Sequence, residues 1–508
     1  MTIGQWIQAE VGNVPKKNTI PLLDGVRAIA CLMVIWFHIY RIPRDLSIWP
    51  TRPFTNLLLN TFLFFGKYGV TLFFVLSGFL LFLPFARSLL FEQAWPSTRE
   101  FYLRRVFRIL PAYYLSLILM VFVFQQQYLQ PQHRSELGLF FIFFMDSSQA
   151  TFKHLNAPFW TLAVEWQFYM LLPLLAMGMR SLVRRVTRAH RMRTIMLCIM
   201  LVMAWGLFSR YFGNYYVYQH PTETVLVPRP LFNGFLALTY GVSGKYLEDF
   251  GVGMLLSLCL SYSQRATPTS RLSVMLRRSW TWLWAAGPLC LLLMILWSYN
   301  YSYPHTWPLF SSPLLFQMYA LGNELGIALA FGLCISALLF GPARLKQPFE
   351  WLALRWLGTI SYSLYMWHLP LLLLCIQWVQ PLLTGWSPEQ AYAIYWLWIL
   401  VVVLPFCFFF FKLVEEPGIR LGKRLLPHRT PAARPPEHTR PLPVVQGLRN
   451  EPMRRSGEGM RGNVQEVRRP TALPPEHHYH MAGMPQGKGR AAGSGPEVTD
   501  ADDLSTGR

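Results

Sequence analysis

Long apolar runs separated by short basic segments dominate the first 427 residues of the chain. Most of these runs reach the roughly 20 residues with which an α-helix crosses the ~30 Å hydrocarbon core of a bilayer. A shorter apolar piece, residues 137–145, is expected to be interfacial or re-entrant. The pattern predicts ten spans, near residues 25–42, 61–84, 106–126, 158–178, 194–212, 236–262, 281–299, 314–341, 356–379 and 391–413.

The first and sixth of these predicted spans are irregular. The first is short for a bilayer, and glycines and charges between residues 241 and 249 interrupt the sixth. The sixth span is therefore expected either to start late or to be discontinuous.

Composition supports the same fold class. The 508 residues are 53% hydrophobic and 16% aromatic, values typical of a polytopic membrane protein. We therefore expect an all-α integral membrane bundle of about ten transmembrane helices over residues 21–427, preceded by a short cytoplasmic segment, residues 1–20. Residues 428–508 are polar, rich in Pro, Arg and Gly, and without apolar periodicity, so they are predicted to be disordered.

The positive charge is concentrated in the membrane region. The formal net charge is +21, yet residues 428–508 carry only twelve Lys/Arg against nine Asp/Glu. A nucleic-acid-binding arm would place the charge in the tail, so no nucleic-acid partner is expected. Arginine-rich loops alternate with cation-poor ones, and the arginine-rich loops lie near residues 99–108, 180–193, 265–278 and 344–355. Under the positive-inside rule, both termini are therefore predicted to be cytoplasmic.

The first span carries the most informative polar pair, Arg27 and His38. They are eleven residues apart, which on an α-helix is about three turns plus 20°, so both side chains lie on one face about 16 Å apart along the axis. A cation and a titratable ring in a span are costly unless they are used; a membrane anchor with one tolerated histidine is the alternative. Asp24 lies at the expected N-cap, and residues 41–44 are expected to end the helix.

Other ionisable groups lie within apolar runs: His368 in the ninth span, Glu165 in the fourth and Glu324 in the eighth. A neutral histidine is a good general base for a hydroxyl, and a nearby carboxylate can fix its tautomer. These residues can equally form structural hydrogen bonds between helices, and for His368 that interpretation is favoured. The seven cysteines all fall in apolar runs without metal-ligand spacing, so no metal is expected.

Arg105 and Arg108 are three residues apart and therefore neighbours on one helical face. Such a pair suits phosphate recognition, although positive-inside anchoring is an equal alternative at this point. In the second span, Gly69 and Gly78 permit close backbone approach, and Ser77 offers a hydroxyl.

Seven pieces of this sequence, in their order, resemble the acyltransferase family 3 membrane acyltransferases, and the resemblance covers most of residues 20–420. The pieces are residues 23–27 with His38, 69–79, 105–113, 160–169, 249–253, 361–368 and 416–417. The resemblance implies a helical bundle, in a bacterial inner membrane, that moves an acyl group, usually acetyl. The donor it implies is a cytoplasmic acyl-CoA, and the acceptor is a hydroxyl of a carbohydrate or another small molecule.

The family resemblance also implies roles for individual residues. It makes His38 and Glu165 catalytic. It makes three arginines the donor-binding residues: Arg27, Arg105 and Arg108. Three further positions are candidates for substrate contact or structure: Ser77, Asp249 and His368. Trp166 departs from the family, since many members carry a second acid there, and long members add an esterase-like domain where this chain has a polar tail.

Two hypotheses from different classes remain open. In an O-acyltransferase, His38 deprotonates the acceptor hydroxyl or carries the acyl group itself. In a transporter or glycan-handling polymerase, the same ionisable residues form a proton or substrate path. The Arg105 and Arg108 pair and the lack of repeat symmetry favour the first. The acceptor and the oligomeric state are not indicated.

Overall fold

The computed structural model describes residues 20–265, 274–275 and 278–426, and these residues form helices without a β-strand. Residues 1–19 and the predicted disorder of residues 428–508 lie outside the described part. The helices of seven residues or more are α1 Pro21–Asp45, α2 Leu57–Phe65, α3 Gly69–Phe91, α4 Thr98–Leu119, α5 Arg134–Phe141, α6 Phe159–Val183, α7 Arg191–Asn214, α8 Arg229–Thr239, α9 Leu247–Arg265, α10 Trp280–Ser302, α11 Pro313–Phe340, α12 Leu352–Val379, α13 Pro388–Trp398, α14 Leu404–Phe410 and α15 Glu416–Arg424.

The predicted all-α membrane bundle is confirmed. Within the described ranges, nine helical segments are long and apolar enough to cross a membrane. Helices α2 and α3 join into one such segment, as do α13, α14 and α15. Helix α5 has only eight residues, so it cannot cross, in line with the expectation for this short apolar piece.

The sixth predicted span differs from the others. It divides into the short helix α8 and the later helix α9, joined by a turn in which Gly241 and Gly244 have φ angles of +71° and +98°. Helix α9 has 19 residues and begins with Glu248 and Asp249 in its first turn. Its acidic start explains why it is not among the nine apolar segments, and its late start is one of the two expected outcomes.

The bounds predicted for α1 were wrong at both ends. Ile20 is the N-cap and Pro21 the first helical residue, because the fixed φ of proline suits the first turn. Asp24 is therefore inside the helix, where it forms an ion pair of 3.3 Å with Arg27. The helix also continues through Pro43 to Asp45 instead of ending at residues 41–44.

Close backbone contacts hold α3 between α1 and α9. A Cβ placed on Gly69 would lie 2.3 Å from the Ala30 carbonyl oxygen of α1, and one on Gly78 would lie 2.1 Å from the Phe250 carbonyl oxygen of α9. Both distances are far below van der Waals contact, so only glycine fits. The close approach predicted from Gly69 and Gly78 is confirmed, and it fixes the position of α3 against α1 and α9.

Candidate active site

Helix α1 carries Arg27 and His38 to two different cavities. Arg27 lines a small pocket of about 100 Å³, here called the arginine pocket, which also contains Arg105 and Arg108. His38 lines a larger cavity of about 780 Å³, here called the histidine cavity. Tyr365 lines both. The two spaces are therefore neighbours, and α1 runs from one to the other.

The arginine pocket has an excess of positive charge. Arg27 pairs with Asp24. By contrast, among the described residues neither Arg105 nor Arg108 has a carboxylate at ion-pair distance. The Nε of Arg105 is buried without a hydrogen-bond partner, and its guanidinium lies 5.9 Å from the centre of the Tyr169 ring. Such partly buried, unpaired guanidinium groups favour an anionic ligand.

Glu165 supplies the carboxylate of the arginine pocket. Its Oε1 accepts a hydrogen bond of 2.9 Å from the Ser77 hydroxyl, and its Oε2 accepts one of 2.8 Å from the Tyr169 hydroxyl. These contacts explain how α6 and α3 hold the side chain, and they place Ser77 in the same pocket. Neither oxygen bonds to His38, so Glu165 does not orient that ring directly. The neighbouring Trp166 stacks on Phe143 with ring centroids 5.0 Å apart.

His38 pairs with His368 of α12, and the surrounding carbonyl groups determine the tautomers. His368 Nδ1 lies 3.2 Å from the Leu364 carbonyl oxygen, which only accepts, so in the neutral ring Nδ1 donates and Nε2 accepts. His38 Nδ1 lies 3.0 Å from His368 Nε2 and 2.9 Å from the Val34 carbonyl oxygen. It faces two acceptors and therefore carries the hydrogen. The lone pair of a neutral His38 is then on Nε2.

The free nitrogen of His38 belongs to the histidine cavity. His38 lines this cavity, and Nε2 has no hydrogen-bond partner among the described residues, yet it is not one of the fully buried unpartnered atoms. A ring whose Nδ1–H is fixed and whose Nε2 lone pair is accessible is ready to take a proton or to act as a nucleophile.

Tyr365 and Thr161 stand at the boundary between the two cavities. The Tyr365 and Thr161 hydroxyls are 2.7 Å apart, at hydrogen-bond distance. The Tyr365 ring meets Phe73 edge-on at 5.6 Å and lies 5.8 Å from the His368 ring. Tyr365 thus belongs to the wall that the two cavities share, and Thr161 lies on the side of the arginine pocket.

The histidine cavity is rich in tyrosines and cations. Tyr68 anchors one wall: its hydroxyl lies 2.7 Å from the Ser298 hydroxyl and accepts a hydrogen bond of 2.6 Å from Asn323 Nδ2. Lys67 and Lys153 also line the cavity, together with Glu324. A large, partly polar space of this size takes a ligand as large as a sugar or a short oligosaccharide.

The remaining predicted candidate, Asp249, lies apart from both cavities. It is fully buried in α9, and neither carboxylate oxygen has a hydrogen-bond partner among the described residues. It lines neither the arginine pocket nor the histidine cavity. No group of three His, Cys, Asp or Glu side chains suited to a metal ion occurs in the part of the chain that the structure describes.

Sequence reasoning did not single out Thr161, Tyr365, Lys67 or Lys153. Tyr365 lies within the piece at residues 361–368 that resembles the family, so a signal for it was present. Lys67 and Lys153 carry no such signal, because their approach to His38 depends on how distant segments pack.

Comparison with known proteins gives the family. The acyltransferase domain model matches residues 20–412. The chain is 26% identical over 372 residues to the putative peptidoglycan O-acetyltransferase YrhL of Bacillus subtilis, covering 70% of this chain and 49% of that protein. It is 26% identical over 383 residues to the peptidoglycan O-acetyltransferase OatA of Listeria monocytogenes, covering 70% and 50%.

A shorter match of 180 residues, 28% identical, links the chain to a putative O-acetyltransferase of Staphylococcus aureus and covers 32% of this chain and 25% of that protein. The chain thus spans about half the length of the first two relatives. No solved structure matches it. With a family model that covers most of its helical part, and with the predicted resemblance confirmed, this chain belongs to the acyltransferase 3 family of membrane proteins.

Proposed function

We propose that this protein is an integral membrane O-acyltransferase that moves an acetyl group from a cytoplasmic acyl-CoA to a hydroxyl of a carbohydrate acceptor. The observation that supports the proposal is that α1 extends from the arginine pocket to the adjoining cavity, where the Nε2 of His38 is accessible. The family match and the names of the relatives support acyl transfer over transport.

The arginine pocket is the proposed donor site. Arg105 and Arg108 lack carboxylate partners among the described side chains, so they are available to the phosphates of a coenzyme A thioester. Arg27 adds a third positive charge beside them. The pocket of about 100 Å³ takes only part of such a donor. The bulk of the coenzyme therefore stays outside the bundle, and the thioester on its flexible arm reaches past Thr161 and Tyr365.

His38 is the proposed reactive group. As a general base, Nε2 takes the proton of the acceptor hydroxyl while the oxygen forms a bond to the thioester carbonyl carbon. The carbon–sulfur bond then breaks, and the coenzyme leaves as a thiol once it has received a proton. The positive charge that develops on His38 is stabilised because Nδ1–H keeps its acceptors, His368 Nε2 and the Val34 carbonyl. A two-step route, in which Nε2 carries the acetyl group, uses the same geometry.

The proposed orientation rests on the charge of the loops. The positive-inside rule places the arginine end of α1, with both termini, in the cytoplasm. The His38 end of α1, which lines the histidine cavity, then lies toward the outer face, where envelope carbohydrates are found. The relatives are named for peptidoglycan, and an envelope glycan is accordingly the proposed class of acceptor for this chain.

Radiolabelled acetyl-CoA tests the proposal. Purified full-length protein is mixed with the labelled donor and a membrane glycan fraction, and label is measured on carbohydrate and on protein. We expect label on carbohydrate with the wild type, and also with the control Arg134→Gln, since Arg134 is exposed at the start of α5 and lines neither cavity. Movement of glycan across proteoliposomes without any acetyl transfer would instead establish the transporter.

A further inference from the structure

We propose that the histidine cavity selects an acceptor with a negatively charged group, a carboxylate or a phosphate on the sugar, and that Lys67 and Lys153 bind that group. The inference rests on the proposed function in one respect, that the acceptor enters from the histidine cavity. It adds a chemical class of acceptor and two specificity-determining residues.

Two of the cavity's cations are already neutralised by carboxylates. Arg41 Nε lies 2.5 Å from the Asp45 carboxylate, and Arg210 Nε lies 2.8 Å from Glu248 Oε1. Guanidinium groups in such ion pairs attract an anionic ligand only weakly. Lys67 and Lys153 also line the cavity, and among the described residues neither lysine has a carboxylate at ion-pair distance.

Lys67 is held in place by aromatic rings. It lies in the short turn Gly66–Tyr68 between α2 and α3. Its ammonium group is 4.1 Å from the centre of the Phe64 ring and 4.8 Å from that of Tyr68. Cation–π contacts fix the position of a charge without neutralising it. Lys67 therefore presents a positioned positive charge at the wall of the cavity, where the Glu324 carboxylate offsets it only in part.

Lys153 is held by the loop that joins α5 to α6. Its backbone has φ +62°, and that of Leu155 has φ +60°, a conformation that costs free energy for residues other than glycine. Contacts on both sides fix the loop: the Thr151 hydroxyl donates to the Met145 carbonyl oxygen at 2.8 Å, and Asn156 Nδ2 donates to the Met366 carbonyl oxygen at 2.9 Å. These hydrogen bonds hold the loop, and with it Lys153, at the wall of the cavity.

The environment of Lys153 disfavours its positive charge, although the Asp45 carboxylate offsets part of that effect. Burial lowers the pKa of its ammonium group, and the positive charge of Arg41 lowers it further. A ligand anion would offset both effects. Glu324, the carboxylate of the cavity outside the ion pairs, accepts a hydrogen bond of 3.1 Å from Thr71. The Glu324 carboxylate can accept a hydrogen bond from a sugar hydroxyl. The two lysines are then left for the one acidic group of the acceptor.

A donor-free binding experiment tests the inference. The full-length protein in detergent is titrated by calorimetry with methyl β-glucuronide, glucose 6-phosphate and the neutral methyl β-glucoside. We expect at least one anionic sugar to bind ten times or more tighter than the neutral one, and the better of the two identifies carboxylate or phosphate. In Lys67→Gln/Lys153→Gln the ratio should fall toward one, whereas Lys67→Arg/Lys153→Arg and the control Arg134→Gln should keep it.

Three results would overturn the inference: equal binding of the charged and neutral sugars, no binding of either anion, or a charge preference that survives the double glutamine substitution. Thermal melting of each variant shows that it is folded. Because no acyl donor is present, the experiment can succeed even if acetyl transfer is absent. A failure of the proposed function appears in the label-transfer assay instead.

Discussion

Replacing Arg105 or Arg108 by alanine removes a cation from the proposed donor site without leaving a carboxylate unpaired. Neither guanidinium has an ion-pair partner among the described residues, so we expect little loss of thermal stability. Each guanidinium is expected to make one charge-assisted hydrogen bond to a donor phosphate, which contributes about 1.5–3 kcal/mol. That free energy corresponds to an increase of about 10- to 150-fold in the apparent KM for acetyl-CoA.

Arg104 is the matched control for these two substitutions. It is the immediate neighbour on α4, its side chain is 60% exposed, and it pairs with Glu100 instead of lining the pocket. Arg104→Ala should therefore leave the KM for the donor unchanged, because the Arg104 side chain lies outside the proposed donor site.

Steady-state kinetics of the purified variants, with donor and acceptor varied separately, check this prediction. The expected signature is a raised KM for acetyl-CoA in Arg105→Ala and Arg108→Ala, with the acceptor KM unchanged. If only the acceptor KM moved, or if Arg104→Ala had an equal effect on the donor, the assignment of these arginines to the coenzyme phosphates would be wrong.

Three further substitutions or truncations probe the remaining parts of the account. Glu165→Gln should lower kcat strongly with little change in melting temperature, since it keeps the shape of the side chain but removes the negative charge facing the arginines; a wild-type kcat would show that its role is structural. His368→Phe removes one of the two acceptors of the His38 Nδ1–H. A neutral hydrogen bond of this kind contributes about 0.5–1.5 kcal/mol, so kcat should fall about 2- to 10-fold. An unchanged kcat would show that the pairing of the two histidines does not matter for the reaction. Removal of residues 431–508, which lie beyond both the family match and the last described helix, should leave specific activity in membranes largely intact, and a large loss at equal expression would assign the tail a function.

Local periodicity predicted much of α1 and α3. The spacing of Arg27 and His38 depends only on the helical repeat, and the structure places them along one helix in two adjoining cavities. Likewise, Gly69 and Gly78 needed no partner to be identified as close-contact positions. The errors in α1 are local too: Pro21 begins the helix before Asp24, and Pro43 does not end it.

The sequence pattern could not predict contacts between segments that are distant along the chain. His38 and His368 are 330 residues apart, and nothing in either span indicates that their rings meet or which nitrogen remains free. Glu165 was expected either to be catalytic or to form hydrogen bonds between helices, and only packing shows that its hydrogen-bond donors are Ser77 and Tyr169. Lys153 reaches the cavity through a loop whose left-handed backbone no hydrophobic pattern encodes.

The acetyl-transfer rate of His38→Ala tests the central claim most directly. Purified wild-type and variant proteins are compared for turnover of labelled acetyl-CoA at saturating donor and acceptor, with melting temperature and membrane insertion measured on the same samples. The account predicts that the variant is folded and inserted but transfers no acetyl group above background, because it lacks the Nε2 that takes the proton or the acetyl group. Turnover close to that of the wild type would contradict it.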